Sequence, residues 1–129
     1  GMSSLQSLVS ILLEDNNFYG TIDNLFNPLV QLNVTTVTIS DNQFTGTLPD
    51  NVFLLPHLST FVAVNNCFNS KLTEVICRST KLIALALDGM ASADVCRLKL
   101  LPGISNSYLS ENTVESTIPL CLFTLPQLN

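Results

Sequence analysis

Four cysteines and one histidine are the residues of this chain best suited to metal binding or covalent catalysis. The cysteines are separated by 10, 19 and 25 positions, and the histidine follows a proline: Cys67, Cys77, Cys96, Cys121 and His57. Zinc sites take closely spaced pairs of cysteine or histidine, and these spacings supply none. A catalytic thiol needs a base held beside it, and His57 has no evident partner. We therefore predict no metal site and no cofactor.

The acidic residues are the other candidates for chemistry, because paired carboxylates can act as general acid and base. Ten of them are spread along the chain, and Glu14 with Asp41 is a pair that could meet across neighbouring strands. We interpret the acids as solvated surface residues instead. The sequence has no Gly-rich phosphate loop and no nucleophile elbow. It predicts a protein without catalytic residues, which is not an enzyme.

The composition excludes two further classes of protein, disordered chains and nucleic-acid binders. The 129 residues are 47% hydrophobic and 12% charged, whereas a disordered chain has low hydrophobicity and high charge. Five Lys and Arg against ten Asp and Glu give a net charge of −5, which would repel a nucleic-acid backbone. The segment 1–70 carries five acids and no Lys or Arg. The net charge therefore belongs to the first half of the chain.

No segment has the length and apolar composition of a membrane-spanning helix. The longest apolar runs are about six residues, against about twenty for a transmembrane helix. No basic segment followed by an apolar run opens the chain, so no signal peptide is visible. We predict no membrane insertion in this segment.

A repeating pattern supplies the elements that would position these residues. Three asparagines recur at spacings of 26 and then 24, and each is followed by a phenylalanine and a branched aliphatic residue: Asn16-Phe18-Ile22, Asn42-Phe44-Leu48 and Asn66-Phe68-Leu72. Apolar or small residues precede each asparagine by three and five positions: Leu13 and Ile11, Ile39 and Val37, Ala63 and Phe61. This alternation is typical of a short strand with one buried face.

The first unit reads Leu5-x-x-Leu8-x-x-Ile11-x-Leu13-x-x-Asn16-x-Phe18-x-Gly20-x-Ile22. It resembles the plant-type leucine-rich repeat, L-x-x-L-x-x-L-x-L-x-x-N-x-L-x-G-x-I-P, found in receptor-kinase ectodomains and polygalacturonase-inhibiting proteins. The resemblance implies an α/β-type repeat solenoid: a right-handed superhelix with a concave parallel β-sheet, short convex strands and helical turns. The asparagines would form a hydrogen-bonded ladder, and the phenylalanines would stack in the core.

We divide residues 1–129 into one leucine-rich-repeat segment of four to five units, approximately 5–30, 31–54, 55–78, 79–100 and 101–125. Residues 91–116 read either as a degenerate fifth repeat or as an irregular insertion. The run Asn112-x-Val114-x-Ser116-x-Ile118-Pro119 favours the repeat. Because neither end resembles a cap, we expect a part of a longer array.

The even cysteine count suggests disulfides and an oxidising compartment, although some cysteines could be buried thiols. Of the three possible pairings we favour Cys67–Cys77, within one coil, and Cys96–Cys121, across the irregular region. Asn33-Val34-Thr35 is a glycosylation sequon, which predicts a glycan on Asn33. Together these features favour an extracellular or secreted protein, membrane-anchored only if flanking segments supply an anchor.

The resemblance also implies that a partner binds the concave sheet. Carried over by position, the ligand-binding candidates are Ser10, Leu12, Glu14, Asp15, Thr36, Thr38, Ser40, Asp41, Thr60, Val62, Asn65, Asp88 and Tyr108. The leading hypothesis is a non-enzymatic module that recognises a protein, peptide or glycan ligand. The alternatives are a structural protein that self-associates through the open ends of the solenoid, and binding of an ordered surface such as ice by the Ser/Thr column.

Overall fold

The structure is a computed structural model that describes residues 1–69, 71–89 and 118–129. Its described strands form two parallel sheets. The four-stranded sheet contains β1 (Ser10–Leu12), β3 (Thr36–Thr38), β5 (Thr60–Val62) and β7 (Ala84–Ala86) in that order. The three-stranded sheet contains β2 (Tyr19–Gly20), β4 (Gln43–Gly46) and β6 (Cys67–Phe68). Strands of the two sheets alternate along the chain.

The strand register reproduces the spacing of the sequence repeat. In the four-stranded sheet Ile11 pairs with Val37, Val37 with Phe61, and Phe61 with Leu85. The offsets of 26, 24 and 24 residues between parallel neighbours equal one repeat each, so each repeat adds one strand to the same edge. The chain therefore folds as an α/β solenoid of the leucine-rich-repeat type, as the sequence predicts.

Short helical turns connect the second sheet back to the first. One of them is the α-helical turn α1 (Asp50–Phe53). The other four are 3₁₀ turns, which span Met2–Ser4, Asp23–Leu25, Glu74–Arg78 and Leu120–Phe123. Val52, Phe53 and Ile76 are buried beneath them, but Phe123 is 73% exposed, because described coils lie on only one side of it.

The predicted phenylalanine stack forms in part. Phe44 and Phe68 are buried, whereas Phe18 is 46% exposed. The Phe18 ring lies nearly parallel to that of Phe44, with 6.3 Å between centroids. Phe18 belongs to the first coil, so a neighbouring coil covers one side of its ring only. Phe18 and Phe44 occupy the same position of the repeat motif, so the difference in their exposure comes from their places in the stack.

The asparagine ladder is confirmed. The Asn42 amide nitrogen donates to the carbonyls of Leu13 (2.7 Å) and Ser40 (2.9 Å), and its oxygen accepts from the backbone N–H of Phe18 (3.0 Å). Asn66 makes the equivalent bond to the backbone N–H of Phe44, at 3.1 Å. The side chains of Asn42 and Asn66 thus bond to backbone groups of their own coil and of the preceding one, whereas the side chain of Asn16, in the first coil, bonds to carbonyls of its own coil.

Both predicted disulfide pairings are wrong, because Cys77 is bonded to Cys121, with 5.6 Å between Cα atoms. The physical reason is that the 3₁₀ turn Glu74–Arg78 packs against the turn Leu120–Phe123, so the bridge joins two coils rather than two sides of one coil. Cys67 lies on β6 and is also disulfide-bonded. Cys96 lies outside the described residues.

Backbone hydrogen bonds continue the stack to the last residue. The N–H of Ser59 donates to the carbonyl of Thr35, that of Ile83 to Ser59, and that of Asn129 to Ile83, at 2.8, 2.8 and 3.2 Å. Asn129 therefore lies directly beside Ile83, at the start of the coil that contains β7. The predicted repeats at 79–100 and 101–125, and the irregular region 91–116, fall largely outside the described residues.

Candidate functional site

The predicted binding residues from the strands share one face of the four-stranded sheet. Their side chains form two columns in register, and we call these eight residues the solvent face: Ser10, Thr36, Thr60 and Ala84, then Leu12, Thr38, Val62 and Ala86. Only Leu12 among them is large and strongly exposed, at 59%. The alternate residues of the same strands point into the core. The solvent face is thus a flat surface of mostly small side chains that end in methyl and hydroxyl groups.

Glu14 follows β1 and is held to the next coil. Its carboxylate accepts a hydrogen bond from the Thr38 hydroxyl. That bond is the main reason why the pKa of Glu14 is lowered from its ordinary value of 4.5. Glu14 is therefore a charged acceptor at neutral pH, and it fixes the rotamer of Thr38 on the solvent face.

A column of turn residues lies beside the solvent face, at the carboxyl ends of the strands. Asp15, Asp41 and Asn65 have positive φ angles of 57°, 52° and 53°, and Gly89 follows at 61°. Asp, Asn and Gly are the residues that tolerate this left-handed conformation best. Their backbone N–H groups extend the parallel hydrogen bonding, for example from Asp41 to the Val64 carbonyl at 3.0 Å.

The residue types in this turn column are therefore explained by the left-handed backbone conformation, which the sequence interpretation missed. The signal was present, since Asp, Asp, Asn and Gly recur at one repeat position. Asp15, Asp41 and Asn65 remain exposed, and the Asn65 amide donates to the Asp41 carboxylate at 2.9 Å. Their side chains border the solvent face even though their conformation is dictated by the turn.

Two predicted site residues, Ser40 and Tyr108, are not found on the exposed surface that the structure describes. Ser40 is 7% exposed, and its hydroxyl accepts the backbone N–H of Val64 at 3.0 Å, so it serves the fold rather than a free surface. Tyr108 lies outside the described residues. Asp88 is exposed next to Gly89 at the end of the fourth coil.

The structure does not assemble an acid–base pair from Glu14 and Asp41. Glu14 accepts from Thr38, and Asp41 accepts from the amide of Asn65. In the described residues, one group of potential metal ligands comes together, formed by Glu74, Cys77 and Cys121. Its two sulfurs are joined in the disulfide and are not thiolate ligands.

No helix in the described part of the chain is long and apolar enough to cross a membrane.

Comparison with known proteins gives one similarity in structure. No protein-family model and no curated protein matches the chain. A solved structure that is similar is the leucine-rich-repeat ectodomain of the plant membrane receptor kinase GASSHO1/SCHENGEN3 from Arabidopsis thaliana, in complex with CASPARIAN STRIP INTEGRITY FACTOR 2. The identity is 23% and the TM-score 0.49, over 65% of this chain and 13% of that chain. The fold rests on the strand register and asparagine ladder of this chain itself.

Proposed function

We propose that this chain is a non-enzymatic recognition module that binds a protein, peptide or glycan ligand on the solvent face. The observation that carries the proposal is the register of the eight solvent-face residues across four strands. A flat sheet of small side chains lets a ligand approach the backbone closely and lie across several coils. Glu14, Asp15, Asp41 and Asp88 border it on one side and would orient the ligand.

The charge of this region favours a neutral or basic ligand. Five acidic residues and no Lys or Arg occur in the segment 1–70, which includes the first three strands of the sheet. A ligand of the same sign would lose affinity and associate more slowly. We therefore expect the affinity of a basic ligand to fall as salt is added.

The test selects short peptides from a random display library on the wild-type protein and then measures each binder against variants. Thr36→Arg and Thr60→Arg place a long charged side chain on the solvent face. Asn24→Arg and Thr80→Arg are matched controls, since both residues are exposed away from the four-stranded sheet. The proposal predicts that the first pair abolishes binding and the second pair does not. Equal loss in both pairs would refute it.

A second candidate function is self-association through the ends of the solenoid. The observation that favours it is an exposed apolar group on the first coil, formed by Val9, Leu12, Phe18 and Tyr19. Light scattering behind size exclusion checks this candidate over a range of concentrations. Growth of the particle mass with concentration, reversed by Tyr19→Glu, would support it, and a monomer throughout would exclude it.

We further propose an extracellular location and a glycan on Asn33. The Cys77–Cys121 disulfide is typical of oxidising compartments. Asn33 is exposed, and its amide nitrogen makes one hydrogen bond, to the Gln6 carbonyl at 3.2 Å. Protein secreted from a eukaryotic host should lose mass on treatment with a peptide N-glycanase, and Asn33→Gln should not. An unchanged wild-type mass would contradict the glycan.

A further inference from the structure

A second concave surface lies on the side of the solenoid where the three-stranded sheet passes into the helical turns. It is a cleft of about 640 Å³, within the size range of small-ligand sites. Its polar lining comes from the first three coils and includes Asp23, Thr47, Asp50, Asn69, Lys71 and Thr73. We call it the turn cleft. None of these residues belongs to the solvent face.

The turn cleft has an apolar floor and a polar rim. Leu48 and Pro49 form the floor and are buried, whereas the other lining residues are exposed. Among the described residues, the side chains of Asp23, Asn69 and Lys71 have no hydrogen-bond or ion-pair partner. The rim therefore offers a free carboxylate, a free amide and a free ammonium around one apolar floor.

The fold holds these groups in fixed places. Gly20 pairs with Phe44, and Gly46 pairs with Phe68, so the register brings Asp23, Thr47 and Asn69 side by side on successive coils. The backbone N–H of Asn69 donates to the Gly46 carbonyl at 3.0 Å. On the other wall the Thr73 hydroxyl donates to the Asp50 carboxylate at 2.6 Å. The rim thus spans three coils, about 10 Å at the usual strand spacing.

We propose that the turn cleft binds a short neutral oligosaccharide. A sugar hydroxyl both donates and accepts, so it can bond to the Asp23 carboxylate and also to the donors of Asn69 and Lys71. An anionic ligand would face Asp23 and Asp50 together, and a cationic ligand would face Lys71. A shallow cleft across three coils suits an oligomer, which would cover the small part of Leu48 and Pro49 that is exposed.

The test is isothermal titration of the full chain with neutral glucose hexamers, β-1,4-linked and α-1,4-linked, and with a galacturonate hexamer as the anionic comparison. At least one neutral hexamer should bind, with little dependence on salt. Asp23→Ala and Asn69→Ala should each weaken that binding about ten-fold, as expected for one lost hydrogen bond to a polar or charged group.

Thr80→Ala is the matched control, because it removes one exposed polar side chain that belongs neither to the turn cleft nor to the solvent face. It should leave sugar binding unchanged. Three results would overturn the proposal: no neutral hexamer binds at millimolar concentration, Asp23→Ala and Asn69→Ala have no effect, or galacturonate binds better and loses its affinity in Lys71→Met. Peptide binding at the solvent face is independent of these outcomes, so the two proposals fail separately.

Discussion

Removing residues 90–111 should leave the solenoid folded. Ser59 and Ile83 occupy successive places in the stack at a sequence separation of 24, whereas Ile83 and Asn129 occupy successive places at a separation of 46. We propose that the coil containing β7 carries an additional segment, 90–111, which favours an insertion over a fifth repeat. The deletion joins Gly89 to Asn112 and restores a coil of ordinary length.

The joined sequence also restores the repeat motif. Asn112 would follow Gly89 as Asn66 follows Asn65. Val114 and Ile118 then stand two and six positions after Asn112, the places of Phe68 and Leu72. On this proposal, the sequence run that suggests a fifth repeat would be the second half of the fourth.

The expected change in the free energy of unfolding follows from the entropy of loop closure. The deletion leaves only positions 112–117 between Gly89 and Ile118, which makes that connection about five-fold shorter. Loop-closure entropy then favours the deletion variant by at most about 1.4 kcal/mol, and by less because the Cys77–Cys121 bond already restricts this connection in the unfolded chain. The deletion also removes Cys96, which is the only cysteine left to pair with Cys67 once Cys77 and Cys121 are joined. The reference protein is therefore Cys67→Ala/Cys96→Ala, and the deletion is made in Cys67→Ala.

Urea unfolding of both proteins measures the difference. We expect the free energy of unfolding of the deletion variant to match or exceed that of the reference, with the Cys77–Cys121 cross-link intact by mass spectrometry. A true repeat would bury a strand and its core side chains, and its loss would cost several kcal/mol. A destabilisation of that size, or a changed cross-link, would refute the insertion.

Three further changes test the packing and the electrostatics. Asn42→Ala should cost about 2–4 kcal/mol in urea unfolding, since it removes the hydrogen bonds to the Leu13 and Ser40 carbonyls and leaves the part-buried Phe18 N–H without its acceptor; a cost near zero would mean that the ladder is not structural. Ser79→Ala should be neutral or stabilising by up to about 1 kcal/mol, because the Ser79 hydroxyl is buried with no hydrogen-bond partner among the residues that the structure describes; a clear loss of stability would contradict this. The pKa of Glu14 is lowered in the fold, so its contribution to stability is full above the ordinary value of 4.5 and is lost as the pH falls through the lowered one. Thr38→Val should return the pKa of Glu14 toward 4.5 in an NMR titration, and an unchanged pKa would refute the assigned cause.

The sequence alone determines the strand register of this protein. Alternating apolar residues before Asn16, Asn42 and Asn66 mark one short strand per repeat, and a register error of one residue would turn the buried side chains outward. The asparagine amide has both donors and an acceptor, so its place at a buried turn also follows from residue type. These features are local to one repeat, and they are found where the motif puts them.

The tertiary structure decides which coils are neighbours. Cys77 pairs with Cys121 because Asn129 stacks directly on Ile83, and nothing local to either cysteine shows this. The exposure of Phe18 has the same origin, since identical motifs are buried or exposed according to the coils beside them.

The turn cleft also depends on neighbouring coils. Asp23, Thr47 and Asn69 belong to different repeats, and only the stacking of parallel strands brings their side chains to one rim. A repeat motif specifies contacts within a coil and with an ideal neighbour. It does not specify which distant segment of the chain lies beside a given coil, and the contact between Cys77 and Cys121 depends on that.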